Sequence, residues 1–262
     1  MKLLSQIRTG MSTTNNVTVE IAVHTVESAI AAEAGRADRV ELFSNPCEGG
    51  VTPSVGLIGL VRENVTKKDV HIMIRPRGGD FHYSDLEFDI MSRDIETAKR
   101  LGANGLVFGL VNLDGTVDVE RTRQLVEASR PASVTFHRAF DVCRDLEKGL
   151  EDLISCGVDR VLTSGGEANA TEGIKCIANL VRIARNRIII MAGGGVNKAS
   201  LRAIVEQTGV REVHAGLRST IPSPVRFRNQ KVLIGYRAPE EYERIVVNEE
   251  EVRAFVDEAG RL

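Results

Sequence analysis

The feature that most restricts the fold is an alternation. Between residues 17 and 215, short apolar runs of strand character take turns with longer amphipathic or alanine-rich runs of helix character. Strands are predicted at 17–23, 38–42, 71–74, 104–108, 132–136, 158–162, 187–191 and 210–215. Helices are predicted at 28–34, after a cap-like Thr25, and from Pro53 to about 64; the others lie at 85–101, 119–129, 146–156, 171–184 and 198–208. Several helices stop at a glycine, among them Gly35, Gly102 and Gly157. A junction also repeats: Asp38-Arg39-Val40 follows Gly35, and Asp159-Arg160-Val161 follows Gly157. The strands are short and continuously apolar, as in a parallel sheet covered on both faces. Eight strands alternating with seven or eight helices, without a linker, predict a single-domain α/β (β/α)8 TIM barrel. No Gly-x-Gly-x-x-Gly follows the first strand, which argues against a dinucleotide fold. The expected organisation is a flexible arm over 1–16, the barrel over 17–220 and a C-terminal extension over 221–262. That extension is expected to pack on the barrel or on a partner subunit, with a short helix near 249–258.

Composition narrows the partners. The 262 residues are 42% hydrophobic, enough to bury one large core or two modest ones, and the formal net charge of −2 gives no basic field for nucleic acid or an anionic membrane. No apolar run reaches the ~18 residues of a spanning helix, and in the first sixteen residues the longest is Leu3-Leu4, too short for a signal-peptide core. Cys47, Cys143, Cys156 and Cys176 lack C-x-x-C spacing and form no disulfide framework, which suits reduced thiols in the cytosol.

The chemistry gathers at strand ends. Residues 72–81 read Ile-Met-Ile-Arg-Pro-Arg-Gly-Gly-Asp-Phe: an apolar strand that breaks into two arginines, a proline and two glycines. In an α/β barrel that point is the carboxyl end of a strand, where ligands bind. Side chains alternate along a strand. If Arg75 points inward, parity groups it with Met73 and His71, and likewise Glu20 with Ala22 and His24, Glu41 with Phe43 and Arg39, Thr135 with His137, and Glu212 with His214. The rim would then collect Glu20, Glu41, Arg75, Arg77, Asp80, His137, Arg138, Thr163, Ser164 and His214. Such a cluster is either a structural ion-pair network or a site, since buried charge is costly unless paired. Arg39 could pair with Glu20 for packing alone, and His214 could be a satisfied core histidine. Glycines Gly193, Gly194 and Gly195 follow strand seven and open a helix, a common place for phosphate in barrels. Read as a site, the rim is a receptor for a small phosphate or carboxylate. Arg75, Arg77, Arg138, Thr163, Ser164, His214 and Gly193 to Gly195 would hold the anion, while Glu20, Glu41, Asp80 or His137 transfers protons.

Four strings carry a further resemblance: residues 74–81; Glu48-Gly49-Gly50 with Thr52-Pro53-Ser54; residues 134–141 (Val-Thr-Phe-His-Arg-Ala-Phe-Asp); and residues 160–165 (Arg-Val-Leu-Thr-Ser-Gly). In that order, from about 19 to 215, they resemble the CutC copper-homeostasis family. The tail from 216, with Arg226-Phe227-Arg228-Asn229, is similar to the family's eukaryotic form. The resemblance implies a TIM barrel, cytosolic and sometimes nuclear, self-associating as a dimer or tetramer, with copper(I) as its ion. In well-known relatives two cysteines on the first two strands are proposed to hold copper(I). The positions matching them here are Ala22 and Phe43, and neither can ligate a metal. The soft donors left are Cys47, Met73 and His24. Two functions remain open: a copper(I)-binding homeostasis protein, or a barrel enzyme acting on a small anion.

Overall fold

Each apolar run is a strand of one closed, parallel barrel whose strands pair in sequence order, β8 returning to β1. The strands are β1 (Thr18–Val23), β2 (Arg39–Leu42), β3 (Asp69–Met73), β4 (Gly105–Phe108), β5 (Ser133–Phe136), β6 (Arg160–Thr163), β7 (Ile189–Ala192) and β8 (Glu212–Ala215). The computed structural model describes residues 17–229, 231–232 and 242–262. The arm expected over 1–16 and part of the extension expected over 221–262 lie outside the described residues.

The connecting helices are α1 (Val26–Ala34), α2 (Val55–Asn64), α3 (Asp85–Arg100), α4 (Val119–Ser129), α5 (Leu146–Cys156), α6 (Ile174–Ala184) and α7 (Lys198–Thr208). Side-chain caps start most of them: Thr25 accepts from the Ser28 N–H, Ser84 and Glu87 form a capping box, and Asn197 caps α7. The second helix begins behind Ser54 rather than at Pro53, because the Ser54 hydroxyl accepts from the Leu57 N–H. Left-handed glycines Gly157 and Gly209 end α5 and α7.

The repeated junction has one job in both places. Asp38 accepts from the Val19 N–H at 2.8 Å and Asp159 from the Val134 N–H at 2.8 Å, each tying the start of its strand to the strand before. The arginines that follow, Arg39 and Arg160, both point inside and reach the same carboxylate, Glu212. Outside the barrel the strands bury Ile21, Val40, Leu42, Ile72, Leu106, Phe108 and Phe136 against the helices. Inside, a smaller apolar group of Ala22, Phe43, Met73 and Val107 lies toward the carboxyl ends.

Glycine makes room for the interior side chains. A Cβ on Gly105 would stand 2.4 Å from the His71 ring. Gly105→Ala is therefore expected to cost about 2 kcal/mol of stability by overpacking. An unchanged urea midpoint would show that the ring can move aside.

After β8 the regular cycle is interrupted. An antiparallel pair, β9 (Arg218–Pro222) and β10 (Glu243–Val247), precedes α8 (Glu249–Ala259). The strand–helix rhythm of the sequence stops at 215, although a short helix is expected near 249–258; that helix, α8, packs between α7 and α1 and completes the ring of helices. The intervening hairpin hides that role from the periodicity. Val252, Phe255 and Ala259 are buried, and Gly35 is the notch that admits Val252, since a Cβ there would come within 2.6 Å of it. The Val247 N–H donates to the Ser28 hydroxyl at 3.1 Å, anchoring the approach to α8. Among the described residues no helix is long and apolar enough to cross a membrane.

Candidate functional site

The lower barrel holds a charged layer. Arg39 donates from Nε to Glu20 at 2.5 Å and from Nη2 to Glu212 at 2.7 Å. Arg160 holds Glu212 from the other side, at 2.5 and 3.2 Å, and reaches the Thr135 hydroxyl at 3.2 Å. Arg39 thus does pair with Glu20, as its position lower on the same face allows. Burial alone would raise the Glu20 pKa, but Arg39 and the His214 hydrogen bond hold it well below the usual carboxylate range. His71 lies 3.8 Å from Glu20, yet burial pulls its pKa down to about 4, so its ring is neutral at physiological pH.

One layer higher, His214 donates from Nδ1 to Glu20 at 2.7 Å and sits 3.7 Å from Glu41. Burial pulls His214 down, but Glu41 and Glu20 outweigh it, so its pKa is raised. Burial pushes Glu41 up to about 7, and its Oε2 has no hydrogen-bond partner. Glu20, Glu41 and His214 offer donor atoms within 4.8 Å of one another, the only such trio of His, Cys, Asp or Glu among the described residues.

Above this layer a cavity of about 880 Å³ opens at the carboxyl ends of the strands. Arg75 follows β3 into it. Its Nη1 donates to the Glu48 and Gly50 carbonyls and its Nη2 to that of Gly79, each at 2.8 Å, which fixes the loop after β2 to the loop after β3. Its Nε has no partner, and the Phe81 ring lies 4.8 Å from the guanidinium carbon. His137 follows β5 and caps the 3-10 turn Arg138–Val142: its Nδ1 accepts from the Ala139 N–H at 3.2 Å. Burial, together with the nearby Arg75 charge, lowers its pKa to about 3. Arg138 donates to Asp141 at 2.7 Å and to the Ser164 hydroxyl at 2.7 Å.

Of the residues expected at the rim, Glu41, Arg75, His137, Arg138, Gly194, Gly195 and His214 line the cavity, as does Met73, with Glu20 directly beneath. Others are elsewhere. Arg77 and Asp80 pair with each other at 3.1 Å outside the lining, and Arg77 is also held by Glu87 at 2.6 Å, because the chain turns outward after Pro76. Thr163 and Ser164 stand in the wall: Thr163 donates to Asp141, and the Ser164 N–H meets the same carboxylate at 3.0 Å. Gly193 is also in the wall, where a Cβ would come 2.4 Å from Leu162. Cys47 is exposed and outside the lining. His24 packs its ring 5.8 Å from Phe43, its Nδ1 buried without a partner. The structure adds lining residues that the sequence did not single out. Asp141 sits three residues past Arg138, a spacing that could have suggested it, whereas Phe81 and Arg218 give no such signal. Arg218 arrives from the tail and lies over the Phe43 ring at 5.7 Å.

The sequence profile of the CutC family matches residues 17–219. A human protein described as a copper homeostasis protein cutC homolog is 47% identical over 221 residues, 84% of this chain and 81% of that one. A Bacteroides fragilis family protein CutC is 45% identical over 243 residues, 92% of this chain and 97% of its own length. The CutC crystal structure from Streptococcus agalactiae superposes with a TM-score of 0.72 at 36% identity, covering 76% of this chain and 97% of that one.

Proposed function

The chain belongs to the CutC family, and we propose that it serves copper homeostasis without ligating copper(I) inside its barrel. The family role rests on the unbroken match over 17–219 and on relatives described as copper homeostasis proteins. The donor set argues against an internal copper(I) centre. Copper(I) selects thiolate, thioether and imidazole. The trio close enough to share an ion is two carboxylates and an imidazole, which suits a harder cation. Ala22 and Phe43 line the cavity where the family's proposed cysteines would stand, in one apolar cluster with Met73 and Val107. Among the described residues Cys47 is the thiol open to solvent, so a copper(I) ion taken by this chain would be held at the surface.

Competition with a chromogenic copper(I) chelator tests this. The unmodified chain is expected to lose its copper(I) binding on Cys47→Ser. Ala22→Cys/Phe43→Cys is expected to bind at least about tenfold more tightly. One tight equivalent that survives Cys47→Ser would overturn the proposal.

We further place the protein in the cytoplasm and nucleus, as the family resemblance implies, self-associated as a dimer or tetramer. The four cysteines are unpaired, and Leu86 and Ile90 expose apolar surface on α3. Light scattering on the purified chain measures the assembly, and a monomer at all concentrations would refute it.

A further inference from the structure

Two side chains at the cavity carry N–H groups with no acceptor. Arg75 is 4% exposed and makes no ion pair with a carboxylate among the described residues; its three hydrogen bonds there go to neutral carbonyls. Its Nε–H makes no hydrogen bond within 3.5 Å, and the Tyr83 hydroxyl, likewise without one, is a neutral oxygen near the same guanidinium. The Phe81 face covers the guanidinium but brings no counter-charge. A buried cation without an anion is costly, and so is a buried donor without an acceptor. His137, also 4% exposed, has the second such group. Because its Nδ1 accepts from the Ala139 N–H, the neutral ring carries its proton on Nε2, and Nε2 has no partner. The Phe81 ring lies 4.8 Å from the Arg75 guanidinium carbon and 5.0 Å from the His137 ring, so the two groups share a neighbourhood.

Both shortfalls are met by one kind of group, an anionic oxygen. Of the other arginines lining the cavity, Arg138 already faces Asp141 and Arg218 is exposed over the Phe43 ring, which leaves Arg75 as the buried charge in need of compensation. One uncompensated charge suits a monoanionic carboxylate better than a phosphate dianion. Met73, Phe81 and Leu162 give the same cavity apolar walls for a short carbon skeleton. We propose that the cavity binds a small carboxylate whose oxygens accept from Arg75 Nε and His137 Nε2. Arg75 supplies charge and His137 supplies direction, and the carbonyls that grip the guanidinium hold it ready before the ligand arrives. The site is independent of copper, so its failure would leave the homeostasis role untouched.

Isothermal titration calorimetry, with a chelator present to remove metal, tests this using lactate, pyruvate and glycolate, with inorganic phosphate and neutral glycolamide in parallel. At least one carboxylate is expected to bind once per chain, and glycolamide not at all. His137→Phe, which keeps a ring but removes the N–H, and Arg75→Lys, which keeps the charge but loses the Nε–H, are each expected to weaken that binding at least tenfold. Thermal melting confirms that each variant is folded. Should Arg75→Lys loosen the loops it pins, His137→Phe decides the matter alone. Absence of binding for all three carboxylates, binding of phosphate in their place, or binding unchanged by His137→Phe in a folded chain would overturn the proposal.

Discussion

Arg39→Met is expected to destabilise the protein by about 3–5 kcal/mol, the usual cost of removing one partner from a buried ionic network. Methionine fills much of the same volume, so the loss is electrostatic. Glu20 would keep His214 at 2.7 Å but lose the bond at 2.5 Å that does most to hold its carboxylate ionised. Glu212 would keep Arg160. Urea unfolding at neutral pH measures the change. Arg39→Met combined with Glu20→Gln should recover part of it, because the stranded charge is then gone. A loss below about 1 kcal/mol would mean that water reaches the layer and screens it.

Glu41→Gln is expected to do the reverse above neutrality. Burial raises Glu41 from the ordinary 4.5 to about 7, in the company of His214, Glu20, Arg39 and Arg218. A carboxyl whose folded pKa lies above its unfolded value contributes stability that is full below about 4.5 and lost as pH rises through about 7. The raised pKa of His214 acts in the same sense, since its contribution is full below 6.5 and is lost as pH climbs through its folded value. The Glu41 contribution should therefore be lost between about pH 5 and pH 8, approaching about 3 kcal/mol. The lowered pKa values of His71 and His137 act in the opposite sense below 6.5, so the difference between wild type and Glu41→Gln is the quantity to read. Glutamine has the same shape and no charge to bury, so the variant should be the more stable protein at about pH 8 and nearly equal to wild type at about pH 5. Parallel slopes for the two proteins across that range would show that Glu41 is solvated after all.

The barrel was legible because parallel strands covered on both faces must be apolar throughout, and the repeated Asp-Arg-Val junction marked two strand starts that use the same bond. Parity placed Glu41, Arg75, His137 and His214 on the inward face, where they lie. What parity cannot give is the partner each arginine chooses. Arg75 and Arg77 stand two apart, yet Arg75 meets three loop carbonyls while Arg77 turns outward to Asp80 and Glu87. That difference depends on the path of the turn after Pro76, which hydrophobic pattern does not encode. Thr163 and Ser164 look alike as hydroxyl donors, but both serve Asp141, whose role depends on a contact across more than twenty residues. In the tail the helix near 249–258 was legible but not its place as the eighth of the ring, because it follows an antiparallel pair that breaks the rhythm identifying the other seven.

That late helix sets an order of events during synthesis. A nascent polypeptide extruded as far as residue 220 already owns every barrel strand, while the groove between α7 and α1, with its Gly35 notch, still faces water. The ribosome must deliver some thirty further residues before Val252 and Phe255 can seal it. Through that interval the growing chain is a cylinder with one stave missing, exposed to whatever chaperone or sister molecule reaches the gap first.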